Sequence, residues 1–397
     1  MPESKNTMAD YIGRRINLKD LSSSMPLLRL LEGSGPLSQP EAAKRLGMST
    51  GSCNLHFQRL ENEGLIHRVD KISSGRGRPT VVWDFNRAQN ACMTLVYDVP
   101  FFQGALLDYS GKLIDQVRED LTSITTRQEL LKRTDAFLER AKHAAEKRGV
   151  RIHHVFAALP GLLTSPGGKV KSAVNFPQMN GLDLQKHVPD TYGWPCKAGP
   201  LGLAFYHGET LRMRSRKRVM MIHWDLGLGI LFGEGPRVIT HGTEDGPEHL
   251  CFPELGHTRI GRGPVGCHCG RTGCLEAHAG GWAVLRDLDD PGIRSMTDLV
   301  WAACDGHPGV LDALRKAARL LAEELLWPLQ LMRAEVILVS GPMAPAVARV
   351  RDSFHEGLSR VLGGEELERL EIRISKDPER SMREGAFVQA KRLFLNA

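Results

Sequence analysis

A dense group of cysteines constrains this chain more than any other feature of its sequence. Cys267, Cys269 and Cys274 fall within eight residues, although the whole chain of 397 residues has only 8 cysteines. His257 lies ten residues upstream. Three thiolates and one imidazole close all four tetrahedral positions of a structural zinc ion, so the pattern predicts a Zn²⁺ site. Glycines interleave the cysteines, as expected where a loop wraps around an ion with positive φ values.

Other uses of these thiols are less well supported. A disulfide needs an oxidising compartment, and nothing near the N-terminus resembles a secretory signal. A redox pair is more often spaced C-x-x-C than the C-x-C of Cys267 and Cys269. Reduced, buried thiols stay open as an alternative. Spacing alone does not decide between His257 and His268 as fourth ligand, although His268, between two cysteines, is expected to point away from the ion.

The same stretch resembles the signature of the ROK family, which comprises sugar kinases and sugar-responsive repressors. The pattern E-x-G-H followed by C-x-C-G-x-x-G-C-x-E is matched by Glu254, Gly256, His257, Cys267, Cys269, Gly270, Gly273, Cys274 and Glu276. The resemblance implies zinc bound by His257 and the three cysteines. It also implies that Glu254, His257 and Glu276 face a sugar.

The composition indicates a soluble globular protein of two or three domains, with 42% hydrophobic and 25% charged residues. No run approaches 18 apolar residues, so we expect no membrane span. Scattered cysteines outside the cluster predict a reduced, cytoplasmic protein. The net charge of +6 is uneven, because the first 80 residues carry an excess of four positive charges. That excess favours a polyanionic partner at the N-terminus.

The N-terminal part predicts a helix-turn-helix. A capping box, Ser38-x-x-Glu41, opens a short helix that stops at Gly47, and a second helix follows, with Leu55, Leu60 and Leu65 available for the core. Two short helices joined by a tight turn, the second with small polar residues in its first turn, are typical of DNA-binding domains. We expect these side chains of the second helix to face DNA: Ser49, Thr50, Ser52, Asn54, His56 and Arg59.

The next segment predicts the wing of a winged helix-turn-helix. Two strand patterns flank a tip that contains Arg76 and Arg78 in the sequence GRGRP. Such a narrow cationic tip can follow phosphates or enter an A·T-rich minor groove. Some winged helices mediate protein contacts instead, and the basic tip argues against that alternative here. The segment also resembles the N-terminal domain of ROK-family repressors.

From about residue 88 the chain alternates strand and helix patterns, which predicts an α/β body. The ROK resemblance covers nearly the whole chain and implies a two-lobed, actin-like body with a ribonuclease H-like sheet in each lobe. We expect a disordered arm over 1–20, the winged helix-turn-helix over 21–87, a first lobe over 88–197 completed by a helix over 380–397, and a second lobe with the zinc loop over 198–379.

The phosphotransfer elements that the resemblance leads one to expect are altered. The family's phosphate turn, Asp-x-Gly-Gly-Thr, is replaced by Asp98-Val99-Pro100-Phe101-Phe102, where proline removes an amide and two phenylalanines fill space. The family's Asn-Asp pair, which includes the catalytic base, aligns with Pro200 and Leu201. The second phosphate motif is half kept, and the adenosine-side Gly-Gly turn reads Gly341-Pro342. Together these changes predict that the chain is not an enzyme.

A small-molecule site is expected to survive in part. The resemblance assigns ligand contacts to Gly161, Asn175, Glu254, His257 and Glu276. Loss of the Asn-Asp pair removes bonds to sugar hydroxyls, so we expect weak hexose binding or a different ligand. For Glu254 and Glu276 the alternative role is to orient the zinc loop.

The leading hypothesis is a DNA-binding transcriptional regulator, a repressor in type, that senses a sugar-like molecule and binds a palindromic operator as a homodimer or tetramer. A sugar kinase with an added DNA-binding domain is the alternative. A zinc hydrolase is the weakest hypothesis, since three cysteines and a histidine leave no coordination position for water.

Overall fold

The computed structural model of the chain describes residues 18–72, 80–164, 168–239 and 254–396. A three-helix domain with a small sheet of order β1-β3-β2 comes first. After a 3-10 helix (Leu18–Ser24), its elements are α1 (Met25–Ser34), β1 (Leu37–Ser38), α2 (Gln39–Leu46), α3 (Thr50–Asn62), β2 (Ile66–Ile72) and β3 (Thr80–Phe85).

Local capping explains where the two helices of the predicted helix-turn-helix begin and end. The Ser38 hydroxyl accepts a hydrogen bond from the Glu41 amide, and Gly47 ends α2 with a φ of 63°. Ser49 caps α3 through the amide of Ser52. The predicted capping box is only half formed, because the Glu41 carboxylate pairs with Arg45 instead of returning to Ser38.

The core of this domain corrects one expectation. Cys53, Phe57 and Leu60 are fully buried, a spacing of four and three residues that marks one face of α3. Leu65 is buried as predicted, but Leu55 is 65% exposed. The prediction that Leu55 joins the core was wrong, since Leu55 lies out of phase with the buried face.

The predicted α/β body is confirmed, and its first five-stranded sheet has the order β10-β7-β4-β5-β6, with β4, β5 and β6 forming an antiparallel meander. The elements of this part, in chain order, are β4 (Asn90–Asp98), β5 (Phe101–Asp108), β6 (Leu113–Asp120), α4 (Arg127–Arg148), β7 (Arg151–Leu159), β8 (Leu162–Leu163), β9 (Val170–Ser172), α5 (Leu184–Tyr192) and β10 (Cys196–Pro200).

A second five-stranded sheet has the order β13-β12-β11-β14-β15, in which β11 and β12 are antiparallel while β14 pairs in parallel with β11 and β15. Its elements are α6 (Leu201–Thr210), β11 (Arg218–Trp224), β12 (Leu228–Glu234), β13 (Arg237–Val238), α7 (Glu276–Ala279), α8 (Gly281–Asp287), α9 (Met296–Asp305), α10 (Pro308–Glu323), α11 (Leu326–Met332), β14 (Val336–Ser340), α12 (Ala344–Ala348), α13 (Arg351–Ser359), α14 (Gly364–Arg369), β15 (Glu371–Ile374) and α15 (Pro378–Leu395).

The chain divides into two compact units. The first takes in the chain up to Ala157, Leu184–Ala198 and the end of the chain from Gln389, while the second contains Ala158–Asp183 and Gly199–Val388. This division places 158–183 in the second unit, whereas the sequence predicts this segment as part of the first lobe. No helix among the described residues combines the length and apolar character needed to cross a bilayer.

Within the first unit, the winged domain is bonded to the sheet that follows it. Arg87 pairs with Glu32 at 2.9 Å, and Lys391 of α15 pairs with the same carboxylate. The buried Arg151 of β7 donates from Nη1 to the carbonyl oxygen of Glu63 at 2.8 Å, one residue beyond α3. The winged domain therefore packs on the first sheet as part of one compact unit.

Candidate metal centre and nucleic-acid interface

The four residues predicted to bind zinc come together in the second unit. One donor atom from each of His257, Cys267, Cys269 and Cys274 lies within 4.8 Å of the others. Sγ of Cys267 is 3.5 Å from Nδ1 of His257, and Sγ of Cys269 is 3.7 Å from Sγ of Cys274. Tetrahedral bonds of about 2.3 Å to sulfur and about 2.05 Å to nitrogen require a sulfur–nitrogen separation of about 3.6 Å and a sulfur–sulfur separation of about 3.8 Å. The two observed distances are therefore compatible with tetrahedral coordination of one metal ion.

The loop that carries the thiols is shaped by backbone bonds and by two glycines. Gly270 and Gly273 have φ values of 85° and 73°, as expected from the interleaved glycines. The amide of Cys267 bonds to the carbonyl of Arg271 at 2.8 Å, and Arg259 bridges to Cys274 across the loop. These bonds hold the donors together, which lowers the conformational cost of capturing an ion.

The three thiols of the cluster differ in their pKa. Burial raises the pKa of Cys269, but hydrogen bonds from Arg271 and from the neighbouring thiols outweigh it and bring the pKa down to about 7. Burial raises the pKa of Cys267 to about 12 and also raises the pKa of Cys274. One thiolate is therefore available near neutral pH, and the other two sulfurs gain most from a cation that replaces their protons.

His268 is not part of this donor set. Its ring stacks on Trp282 with centroids 4.0 Å apart, and its Nδ1 is 2.8 Å from Oδ1 of Asn175. The expectation that His268 points away from the ion is thus consistent with its contacts. The contact instead fixes Asn175, one of the residues expected to bind a ligand.

Asn175 and Glu276 converge on the turn between β11 and β12. A Cβ added at Gly227 would lie 2.6 Å from Oε2 of Glu276 and 3.1 Å from Nδ2 of Asn175, so only glycine admits both side chains. Glu276 is 4% exposed and accepts hydrogen bonds from the Leu228 amide at 3.0 Å and from Nε1 of Trp282 at 3.2 Å. One carboxylate oxygen of Glu276 is thus bonded to the sheet at Leu228, and the other to helix α8 at Trp282.

The remaining ligand candidates occupy different positions. Glu254 is half-exposed, with Oε2 3.7 Å from Nε2 of His257, so that this carboxylate faces the ring nitrogen not directed at the thiols. Gly161 has a φ of 80°, and an added Cβ would lie 2.2 Å from the Ser172 carbonyl oxygen. Only glycine therefore fits at position 161, where the chain passes close to Ser172, three residues before Asn175.

Asp225, in the same turn as Gly227, has a perturbed carboxyl group. Its Oδ1 is buried without a hydrogen-bond partner, and burial raises its pKa to about 7, assisted by the nearby Glu276 charge and opposed by the Leu226 amide. Because the folded-state pKa is raised, the contribution of this carboxyl group to stability is fully present below about pH 4, near its unfolded pKa, and is lost as pH rises through 7.

Replacing Asp225 by Asn is therefore expected to stabilise the fold at alkaline pH. We expect Asp225→Asn to raise the free energy of unfolding at pH 8 by about 1–2 kcal/mol, an advantage that disappears near pH 4. Denaturant titrations at both pH values measure it. The matched control is Asp352→Asn, which removes the same charge from the exposed surface of α13; equal responses of the two variants to pH would contradict the assignment.

The segment expected in place of a phosphate loop is a tight hairpin in the first unit. Asp98 pairs directly with Phe101, leaving only Val99 and Pro100 as the turn between β4 and β5. Phe102 is fully buried, and the guanidinium of Arg118 lies 3.7 Å from the ring centre of Phe101. A two-residue turn that leads directly into packed aromatic residues presents no row of free amides to a phosphate.

The position expected for the catalytic base is also apolar. Pro200 directly precedes α6, and Leu201, its first residue, is 5% exposed. Proline and leucine offer no group that accepts a proton, so the start of this helix cannot activate a hydroxyl group.

In the winged domain, the residues expected to face DNA divide into two groups. Ser49, Thr50, Ser52 and Arg59 are exposed on or just before α3. Asn54 and His56 are half-buried and bonded within the domain; Oδ1 of Asn54 accepts from Gln39 at 2.8 Å, and Nδ1 of His56 lies 3.0 Å from the Ser24 hydroxyl. Arg76 and Arg78 lie outside the described residues.

Sequence reasoning missed three exposed residues on α3. Gly51, Leu55 and Gln58 lie on the same open face as Ser52 and Arg59. The buried spacing of Cys53, Phe57 and Leu60 was the signal that could have placed them, because it fixes which face of the helix turns outward.

Comparison with protein families supports both parts of the chain. The profile described as "ROK family" matches residues 100–392, and the profile described as "Winged helix-turn-helix DNA-binding" matches residues 27–67. The first match covers well over half of the chain and includes the metal cluster. The second begins within α1 and includes all of α2 and α3.

Individual relatives include both repressors and kinases. The xylose repressor of Bacillus spizizenii is 22% identical over 348 residues, which is 86% of this chain and 87% of the repressor. Kanosamine kinase of Amycolatopsis mediterranei is 27% identical over 225 residues, covering 54% of this chain and 71% of the kinase. The crystal structure of a ROK family transcriptional regulator, a homologue of the E. coli MLC protein, has a TM-score of 0.70 at 20% identity and covers 95% of this chain and 99% of that one.

Proposed function

The chain belongs to the ROK family, and from this premise we propose that it is a DNA-binding transcriptional regulator, a repressor in type, that responds to a sugar-like small molecule. The observation that carries this proposal is the exposed face of α3, with Ser52, Gln58 and Arg59, in a winged helix-turn-helix. The similarity to a xylose repressor, which covers 86% of this chain and is therefore longer than the body alone, supports it.

The chain is a regulator and not an enzyme. The tight hairpin at Val99 and Pro100 and the buried Leu201 stand where the family resemblance leads one to expect a phosphate loop and a catalytic base. Phosphoryl transfer depends on positioned donors for the phosphates and a group that accepts the hydroxyl proton. These residues supply neither.

We propose that the metal is Zn²⁺ and that its role is structural. The donor set of His257, Cys267, Cys269 and Cys274 is saturated by protein ligands, so a bound zinc ion would be closed to water and substrate. Glu254 beside Nε2 of His257 would orient the ring. The ion would hold the loop that presents Glu276.

We propose that the effector is a sugar or a sugar derivative contacted by Asn175, Glu254, His257 and Glu276, with Gly161 shaping the adjoining segment. The convergence of Asn175 and Glu276 on Gly227 supports this set. Glu276 already accepts two hydrogen bonds from protein groups, so only its remaining lone pairs could accept from the ligand. We therefore expect weak affinity for a hexose.

The partners follow from the domain plan. We propose that 21–87 binds double-stranded DNA through Ser49, Thr50, Ser52, Asn54, His56, Arg59, Arg76 and Arg78, while 88–397 forms the sensing body. Winged helices that read palindromes do so as pairs, so a homodimer or tetramer on a palindromic operator is proposed. The free thiols support a cytoplasmic location.

The proposed function is tested by selecting the DNA duplexes that the protein binds and then measuring whether a sugar releases them. Full-length protein is equilibrated with a pool of duplexes that share a randomised central region, and the bound duplexes are sequenced. We expect an inverted repeat to be enriched, and expect one class of pentose, hexose or amino sugar to weaken its binding at least tenfold by fluorescence anisotropy. No enrichment contradicts the regulator; enrichment without any sugar effect contradicts the effector.

A further inference from the structure

Leu55 is a large apolar side chain held out into solvent on the helix expected to enter DNA. It is 65% exposed, while its neighbours Cys53 and Phe57 on the same helix are fully buried. An exposed leucine by itself is ordinary on a protein surface. Here its place is specific, because it lies at the centre of the outward face of α3, three residues after Ser52 and four before Arg59.

Gly51 provides a second, independent observation on the same face. It lies one helical turn before Leu55, and a Cβ added to it would meet no atom within 4 Å. Its φ does not fall in the left-handed region. Glycine is among the least favourable residues in a helix, and neither packing nor backbone conformation of the protein requires it here. Close approach of another molecule to the backbone would require it.

The neighbouring side chains indicate what that molecule is. Ser52 and Arg59 are exposed on either side of Leu55, and the domain carries the excess of positive charge found in the first 80 residues. Hydroxyl and guanidinium groups bond to phosphates and base edges, whereas an apolar side chain in the major groove finds only one apolar partner, the C5 methyl group of thymine.

We propose that Leu55 is a specificity residue that contacts the methyl group of a thymine in the major groove of each operator half-site. Gly51 lets the first turn of α3 approach the DNA closely enough for that contact. This inference rests on the proposed DNA-binding function and adds which base the helix recognises.

The experiment uses the duplex enriched by the full-length protein and replaces its thymines one position at a time by deoxyuridine, which removes only the C5 methyl group. Anisotropy titrations then compare the wild-type protein with Leu55→Ala. For the wild type we expect one position per half-site at which uracil weakens binding about fourfold. This factor corresponds to the loss of one buried methyl group, worth about 0.8 kcal/mol. For Leu55→Ala the same replacement is expected to have no effect.

Two variants separate reading of DNA from folding. Leu331→Ala removes a leucine that is 68% exposed on α11 and is expected to leave the uracil response intact. Gly51→Ala is expected to leave the melting temperature unchanged or raise it, because alanine favours the helix, while lowering affinity for the enriched duplex at least tenfold.

The outcomes are distinct. Failure to enrich any duplex removes the proposed function itself. Enrichment with no position sensitive to uracil, or with the same sensitive position in wild type and Leu55→Ala, leaves the regulator in place and overturns the assignment of Leu55.

Discussion

Replacing Cys274 by serine is expected to empty the metal centre and to lower the melting temperature by about 10–20 °C. Cys274 is 1% exposed, and its sulfur is 3.7 Å from that of Cys269. Structural zinc contributes its binding free energy to folding, and a loss on the order of 5 kcal/mol corresponds to this change in a domain of about 200 residues. Glu276, two residues further on, would lose the support that directs it to Leu228 and Trp282.

Metal content by mass spectrometry and thermal unfolding of the same samples measure this prediction. The matched control is Cys304→Ser, which changes an exposed cysteine outside the cluster. Zinc near one equivalent per chain is expected in the wild type and in Cys304→Ser. A wild-type protein that is purified without metal and has the same melting temperature as Cys274→Ser would contradict a structural role for the metal.

Replacing both Arg76 and Arg78 by alanine is expected to weaken binding to the enriched duplex about 30-fold near 0.15 M salt and to flatten the slope of log K against log salt by about 1.8. Each arginine that neutralises one phosphate releases about 0.9 of a condensed counterion, so two lost contacts change affinity and salt dependence together. Anisotropy titrations from 50 to 300 mM salt determine both values.

The control for the wing removes two cations elsewhere. Lys316 of α10 and Arg369 of α14 are exposed in the second unit, and their double alanine variant is expected to bind DNA as the wild type does. If both double variants share the wild-type slope, the wing makes no phosphate contacts. If both lose affinity equally, the effect is one of net charge and not of the wing.

Features that depend on local spacing could be predicted from the sequence. The metal cluster was predictable because three thiols in eight residues have few uses, and the helix-turn-helix because Gly47 and Ser49 mark the end of one helix and the start of the next. The α/β body followed from alternating strand and helix patterns. Two further predictions came only from the family resemblance. These are that each lobe has a ribonuclease H-like sheet and that His257 is the fourth metal ligand.

Features that depend on contacts across the chain could not be predicted. Nothing near Asn175 in the sequence indicates that His268, 93 residues later, fixes its side-chain amide. The hydrogen bonds that Glu276 accepts from Leu228 and Trp282 also depend on folding. The outward position of Leu55 was predictable in principle, but the periodic leucines at 55, 60 and 65 obscured the buried face of α3.

We propose that a sugar-kinase fold serves here as a sensor attached to a DNA-binding domain and performs no phosphoryl transfer. The most direct measurement follows ADP formation by the full-length, zinc-loaded protein with ATP, Mg²⁺ and each sugar in turn, in the sample whose binding to the enriched duplex is also titrated. We predict DNA binding that a sugar weakens, with no ADP formation above the rate without protein. Sugar-dependent ADP formation by a protein that does not bind the duplex would contradict the account.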